Sequence, residues 1–241
     1  MGFGGYEFIN VFKASSPNLE FFYYLTGFIL AKRVIKDYPE ISFNEENLEG
    51  IIDFDEIFGR KADVHIEIGS GKGTFLVNQA RAFEDVNFFG IEWANKYYRL
   101  AVDRIGRWGI TNVRITRTDA AHFLAEHVAD GSVSWFHIYF PDPWPKARHH
   151  KRRLICTENM QQFLRCLEDG GVMNVATDHV EYFEQMVEVF QKEVDNGKIE
   201  LIEFTRAADA RDGEMVGTNF ERKYLVEGRV TNTIAAQKIK I

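Results

Sequence analysis

Val64-His65-Ile66-Glu67-Ile68-Gly69-Ser70-Gly71-Lys72-Gly73-Thr74 decides how this chain folds. A short apolar run, 64–69, ends in glycine. The next stretch, 74–83, is apolar at 75, 76, 80 and 83, which is a helical stripe. The same pairing recurs downstream. Residues 87–93 read as strand and 94–108 as helix, with Tyr97, Leu100, Ala101 and Ile105 on one side. Residues 113–118 read as strand, 120–127 as helix and 134–140 as strand. Residues 157–168 read as a helix stopped by Gly170-Gly171, then 172–177 as strand and 180–194 as helix. Residues 199–205 and 222–227 are apolar-rich and read as a closing antiparallel pair. Such alternation predicts an α/β fold: a mostly parallel sheet with an antiparallel C-terminal strand and helices on both faces. Ligands of such sheets sit beyond the carboxyl ends of the strands.

Three acids fall at successive strand ends: Glu67, Glu92 and Asp119. The glycine turn between strand and helix has three readings. A phosphate loop needs Ser or Thr after Gly-Lys, but Gly73 follows Lys72. A dinucleotide turn needs a third glycine at 74, where Thr74 stands. The third is an S-adenosylmethionine turn, with an acid on the strand ahead of Gly69, Gly71 and Gly73. Glu67 then answers the cationic methionine end, Glu92 accepts from ribose hydroxyls, and Asp119 accepts from the adenine amino group. Glu92 and Asp119 also read as simple N-caps of the helices that follow.

A second stretch stands out: Pro141-Asp142-Pro143-Trp144-Pro145-Lys146-Ala147-Arg148-His149-His150-Lys151-Arg152-Arg153. Prolines cannot donate to a sheet ladder, so the loop after strand 134–140 is rigid and irregular. It fixes one carboxylate, Asp142, at a strand end. Five Lys/Arg and two His follow within residues 146–153. A cationic lip of this kind suits a phosphate backbone. The whole chain carries a net charge of −7, and residues 1–60 hold ten acids against five bases. Local potential, not total charge, governs where a polyanion lands.

The 241 residues are 45% hydrophobic and 27% charged, as in ordinary globular proteins. No apolar run reaches the ~18 residues of a membrane span. The run Leu19–Leu30 is too short and carries Glu20, and no basic start precedes it. Tyr6 occupies the position where a myristoylation pattern needs Ser or Thr. The expected location is the cytoplasm. Cys156 and Cys166 are ten residues apart, about 1,000° around a helix, so they share no face and read as reduced thiols. His149 and His150 have no Cys or acid beside them, so no metal is expected. Residues 1–50 lack the alternation and are rich in Phe, Tyr and acids. They read as an N-terminal extension that packs on a 51–241 domain through 19–30, with partner binding as the alternative.

With these residues assembled, the chain resembles the bacterial tRNA (guanine-N7-)-methyltransferase family. The matching blocks are 67–73, 90–93, 141–153, Thr177-Asp178 and Thr218-Asn219-Phe220-Glu221. The resemblance covers about residues 51–228. It implies a class I, Rossmann-like methyltransferase sheet and methyl transfer from S-adenosylmethionine to N7 of a guanosine in the tRNA variable loop. A methyltransferase acting on another RNA, a protein or a small molecule is the alternative. Carried over by position, Glu67, Glu92, Asp119 and Asp142 contact the cofactor or flank the methyl group. Lys146, Asp178 and Thr218–Glu221 meet the guanosine. Arg148, His149, His150, Lys151, Arg152 and Arg153 meet RNA. The chain acts as a monomer, a homodimer, or with a partner held through residues 1–50.

Guanine N7 has a free lone pair, so no general base is needed. Asp142 is the expected catalytic carboxylate, held still by its prolines. Trp144 reads either as a base-stacking platform or as a residue wedged under the loop. Asp178 also fits an N-cap with Glu181 three residues on.

Overall fold

The computed structural model describes residues 23–24, 27–28, 34–45 and 48–240. The chain forms two compact units, 1–35 and 36–241. In the first, β1 (Tyr23–Tyr24) pairs antiparallel with β2 (Gly27–Phe28). The rest of the 19–30 stretch, and its expected packing, lie outside the described residues.

The second unit is built on an eight-stranded sheet. Its strands are β3 (Ser42–Phe43), β4 (Val64–Ile68), β5 (Asn87–Ile91), β6 (Val113–Thr116), β7 (Val133–Tyr139), β8 (Leu167–Thr177), β9 (Ile199–Ile202) and β10 (Asn232–Lys238). The order is β3-β6-β5-β4-β7-β8-β10-β9. Every pairing is parallel except those of β10, which runs antiparallel to both β8 and β9. The helices are α1 (Phe54–Phe58), α2 (Thr74–Ala82), α3 (Asn95–Arg107), α4 (Ala120–His127), α5 (Thr157–Cys166), α6 (Val180–Asp195) and α7 (Asn219–Val226).

All five residues of β5 are buried, as expected of a strand covered on both faces. Its side chains alternate between two cores. Phe89 packs against Phe43, Phe54 and Phe123 of α4, in the core shared with α5 and α6, and Phe88 lies in the core that holds Leu76, Val77, Ala101 and Ile105 of α2 and α3. Period-2 alternation on a central strand is what separates the two layers of helix.

Three departures from the sequence reading have physical causes. Residues 222–226 are helix and Glu227 is its C-cap, not strand, and β10 closes the sheet instead. Thr218 caps α7, accepting from the Glu221 amide at 3.1 Å, so the chain commits to a helix before the apolar residues arrive. Gly170 and Gly171 lie within β8, where pairing with β7 jumps from Val133↔Leu167 to Trp135↔Val172. They accommodate the irregularity rather than ending the helix. Finally, residues 36–43 join this unit. Ile41 is buried, and β3 adds an outermost strand to β6. Tyr38 fits a notch in α3, where a side chain at Gly106 would come within 2.1 Å of its ring.

Candidate functional site

Two neighbouring hollows open at the carboxyl ends of the central strands. The larger, about 700 Å³, is lined by the glycine turn after β4, by Glu92 and Asp119 after β5 and β6, and by Pro141, Asp142 and Trp144 after β7. Lys151, Arg152 and Arg153 line its other side. The smaller, about 200 Å³, holds Glu67, Lys72, Thr218, Asn219 and Lys223. Gly69, Gly71, Tyr97, Tyr139 and Phe220 wall both.

The turn is shaped by its own backbone. Gly69, Gly71 and Gly73 have φ of 80°, 54° and 67°. At Gly73 a Cβ would sit 3.0 Å from that of Ala101, so α2 and α3 meet here only because the side chain is missing. The Gly69 and Ser70 amides both donate to Ile91 O, at 2.8 and 3.2 Å. Glu92 then ties the turn to α3. Its Oε2 accepts from the Gly71 amide and its Oε1 from the Ala94 amide, each at 2.7 Å. Burial pushes the Glu92 pKa up, the two amides offset part of this, and the negative charge of Asp142 adds to it.

Glu67 is only 4% exposed, and its Oε2 has no hydrogen-bond partner among the described residues. Burial, reinforced by the charge of Glu92 and opposed by Ser70, raises its pKa to about 8. A buried carboxylate oxygen with nothing to answer it is costly unless a ligand supplies a donor or a cation. Beneath it runs a row of neutral rings. The Tyr139 hydroxyl lies 2.9 Å from His137 Nδ1, and His137 Nε2 lies 3.2 Å from His65 Nδ1. Burial lowers the His65 pKa to about 4 and that of His137 well below its usual value.

The loop after β7 is strained. Phe140 and Trp144, with φ of 52° and 44°, are the only non-glycine residues with positive φ among those described. They bracket Pro141-Asp142-Pro143. Each such conformation costs on the order of 1–3 kcal/mol and persists only where the surroundings over-determine it. Here the Phe140 amide donates to Ala176 O at 2.7 Å, and Arg153 Nε donates to Pro143 O at 2.8 Å. Asp142 is left exposed at the cleft wall. Trp144 is half-buried, with the Arg152 guanidinium 5.0 Å above its ring and His149 edge-on at 5.8 Å. It is neither a core residue nor a bare platform.

The two hollows therefore gather Glu67, Gly69, Gly71, Glu92, Asp119, Asp142, Thr218, Asn219, Phe220, Lys151, Arg152 and Arg153. Asp119 also caps α4, accepting from the His122 amide at 3.0 Å. Lys146, Arg148, His149 and His150 lie outside both. Lys146 leads into a 3-10 turn over Ala147–Arg152. Asp178 also lines neither. It does not cap α6, which is capped by His179 Nδ1 accepting from the Tyr182 amide. The Asp178 carboxylate is held by Arg229 at 2.6 Å. Glu221 is fully buried, and its oxygens accept from the Met215, Val216 and Gly217 amides at 2.6–3.0 Å. It shapes the loop ahead of α7 from within.

Tyr97, Tyr139, Lys72 and Lys223 line the site without having been singled out from the sequence. Tyr139 carries the one legible signal: it is the last residue of β7 and shares the face of His137 and, on β4, Glu67. Among the described residues no cluster of His, Cys, Asp or Glu is placed to hold a metal, and no helix is long and apolar enough to cross a membrane. Both cysteines are free.

The sequence pattern of a family described as putative methyltransferases matches residues 61–232. A protein of Alkalilimnicola ehrlichii named tRNA (guanine-N(7)-)-methyltransferase is 37% identical over 177 residues, 73% of each chain. The chain belongs to this tRNA (guanine-N7-)-methyltransferase family. A second relative of that name, from Pseudoalteromonas atlantica, is 41% identical over 144 residues, and this chain covers 60% of its length. The chain spans about 60–66% of the first curated relatives it matches. Among solved structures, the aminoglycoside resistance methyltransferase NpmB1 superposes with a TM-score of 0.51 at 14% identity, covering 77% of this chain and 91% of that one. A SAM dependent methyltransferase from Aquifex aeolicus gives 0.50 at 13%, covering 76% and 87%. At such identity these two show the fold alone: the class I methyltransferase sheet, which the family member described here shares.

Proposed function

We propose that this protein transfers a methyl group from S-adenosylmethionine to N7 of a guanosine in the tRNA variable loop. The observation that carries the reading is Asp142, framed by strained backbone and placed on the same cleft as the glycine turn, Glu92 and Asp119. Its neighbours Lys151 and Arg152 supply an exposed cationic rim.

The residues present fit the cofactor. Glu67 offers an unanswered buried oxygen to a cation, and Glu92 keeps a lone pair free on each oxygen after its two amide bonds. Asp119 faces the cleft from the end of β6. When bound, the cofactor supplies a methyl group on a positively charged sulfur. Everything else falls to side chains. Alignment of nucleophile and methyl can be worth on the order of 7–11 kcal/mol. Positive charge develops on the guanine ring as N7 takes the methyl, and a fixed carboxylate at Asp142 favours it. Lys151 and Arg152 hold phosphates, with Lys146, Arg148, His149 and His150 extending the surface. Thr218, Asn219 and Phe220 approach the base from α7. Asp178 meets it once Arg229 is displaced, and Glu221 acts through the 215–217 loop. tRNA as substrate agrees with a cytoplasmic location.

The test is mass spectrometry of nucleosides from unmodified tRNA incubated with protein and S-adenosylmethionine. The expected product is 7-methylguanosine. Methyl label that survives ribonuclease in protein or small molecules, with none in tRNA, would overturn the reading.

A further inference from the structure

Arg153 ends the basic run, and sequence alone gives no reason to separate it from Arg152. The structure separates them completely. The Arg152 side chain is exposed over Trp144. Arg153 is 2% exposed, the largest fully buried side chain described. Its guanidinium reaches four acceptors. Nε donates to Pro143 O at 2.8 Å, Nη1 to Gln185 Oε1 at 2.6 Å, and Nη2 to His150 Nε2 and Glu181 Oε1 at 3.0 and 3.2 Å. It also lies 4.8 Å over the Tyr182 ring. Gln185, Glu181 and Tyr182 all belong to α6.

We infer that Arg153 is a positioning residue for Asp142 and makes no phosphate contact. Four of the five guanidinium N–H donors are engaged within the protein and the side chain itself is buried, which leaves little to offer a polyanion. What it does offer is a rigid link. Pro143 follows Asp142 directly and precedes Trp144, whose φ is 44°. Anchoring the Pro143 carbonyl to α6 holds the strained peptide between them, and so aims the carboxylate. The planar fork is essential, because a single ammonium cannot reach Pro143, Gln185 and Glu181 together. The basic run thus divides by geometry: the 3-10 turn over Ala147–Arg152 presents its cations outward, and the next residue turns in.

This deepens the proposed function and rests on it, so the test has one arm that needs no RNA. Arg153→Lys keeps the charge. Its expected effects are faster hydrogen exchange of the amides of residues 144 and 146–152 in the free protein and a kcat on tRNA lowered at least about tenfold, since misplacement by 1 Å can cost about 10²-fold. The affinity for tRNA and its salt slope stay as in the wild type. Arg152→Ala is the contrast: weaker tRNA binding, with the slope of log K against log salt reduced by about one. Gln185→Ala removes a single acceptor on α6. It is expected to reproduce the Arg153→Lys pattern in weaker form, and it decides the matter if Arg153→Lys does not fold. A lowered salt slope with kcat retained in Arg153→Lys would make Arg153 an RNA contact and overturn the inference. Unchanged exchange and unchanged kcat would also overturn it. A wild-type protein inactive on tRNA would sink the functional reading alone, because the exchange arm still reports on the loop.

Discussion

The turn after β4 and the turn after β7 leave neighbouring parallel strands at the same edge, yet they reach positive φ by opposite means. The first uses glycine at 69, 71 and 73, where a left-handed backbone carries no steric penalty. The second uses Phe140 and Trp144, where it does. The difference follows from what each must present. The glycine turn offers bare backbone for close approach. The proline turn must deliver a side chain, Asp142, so it needs residues that restrict motion and an outside anchor in Ala176 and Arg153. One site is shaped by absence of side chains, the other by restraint of one.

The strongest way to break that comparison is to remove the side chain the restraint exists for. Asp142→Ala is expected to lower kcat on tRNA by about 10²–10³-fold, in the range of losing one preorganised electrostatic group, with the circular dichroism spectrum unchanged. Turnover at the wild-type rate would show that the frame holds nothing of importance. The next test adds a side chain where absence matters. Gly73→Ala places a Cβ at φ 67° and 3.0 Å from Ala101. It should cost about 1–3 kcal/mol in denaturant unfolding and weaken S-adenosylmethionine binding in calorimetry. A neutral result would mean that the turn does not need glycine.

The smallest effect sharpens the floor of the first turn. Burial raises the Glu67 pKa to about 8, above its unfolded value, so the folded protein holds a proton that the unfolded chain has released. Stability from this group therefore falls as pH rises from about 4.5 towards 8. A cationic ligand favours the ionised form, so S-adenosylmethionine affinity should rise about tenfold between pH 6.5 and 8, with proton release seen as buffer-dependent binding enthalpy. Glu67→Gln should flatten both profiles. A pH-independent affinity in the wild type would leave the unpaired Oε2 without a functional explanation.

How much of this was legible depends on the range of the interaction. The alternation from residue 64 to 194 was readable because each helix and strand carries its own apolar period. The acids at the ends of β4, β5 and β6 were readable because strand ends are local features. α7 was misread, although Thr218 and Glu221 stand at capping-box spacing, because its apolar residues outweighed that cue. The inward turn of Arg153 was not readable, because it depends on the 3-10 geometry of the residues before it and on acceptors 28 and 32 residues away. β3 was invisible, since two residues have no period and its anchor is a tertiary notch.

That notch bears on how the molecule behaves in company. With Tyr38 seated against Gly106, Ile41 and Phe43 are drawn alongside β6, and the Ile115 amide is satisfied by Ile41 O at 2.9 Å. Unseating the ring would leave a row of unpaired amides and carbonyls along β6, an open template for a strand from a neighbouring molecule. One missing methyl group on α3 thus lets a two-residue strand cover the edge of β6.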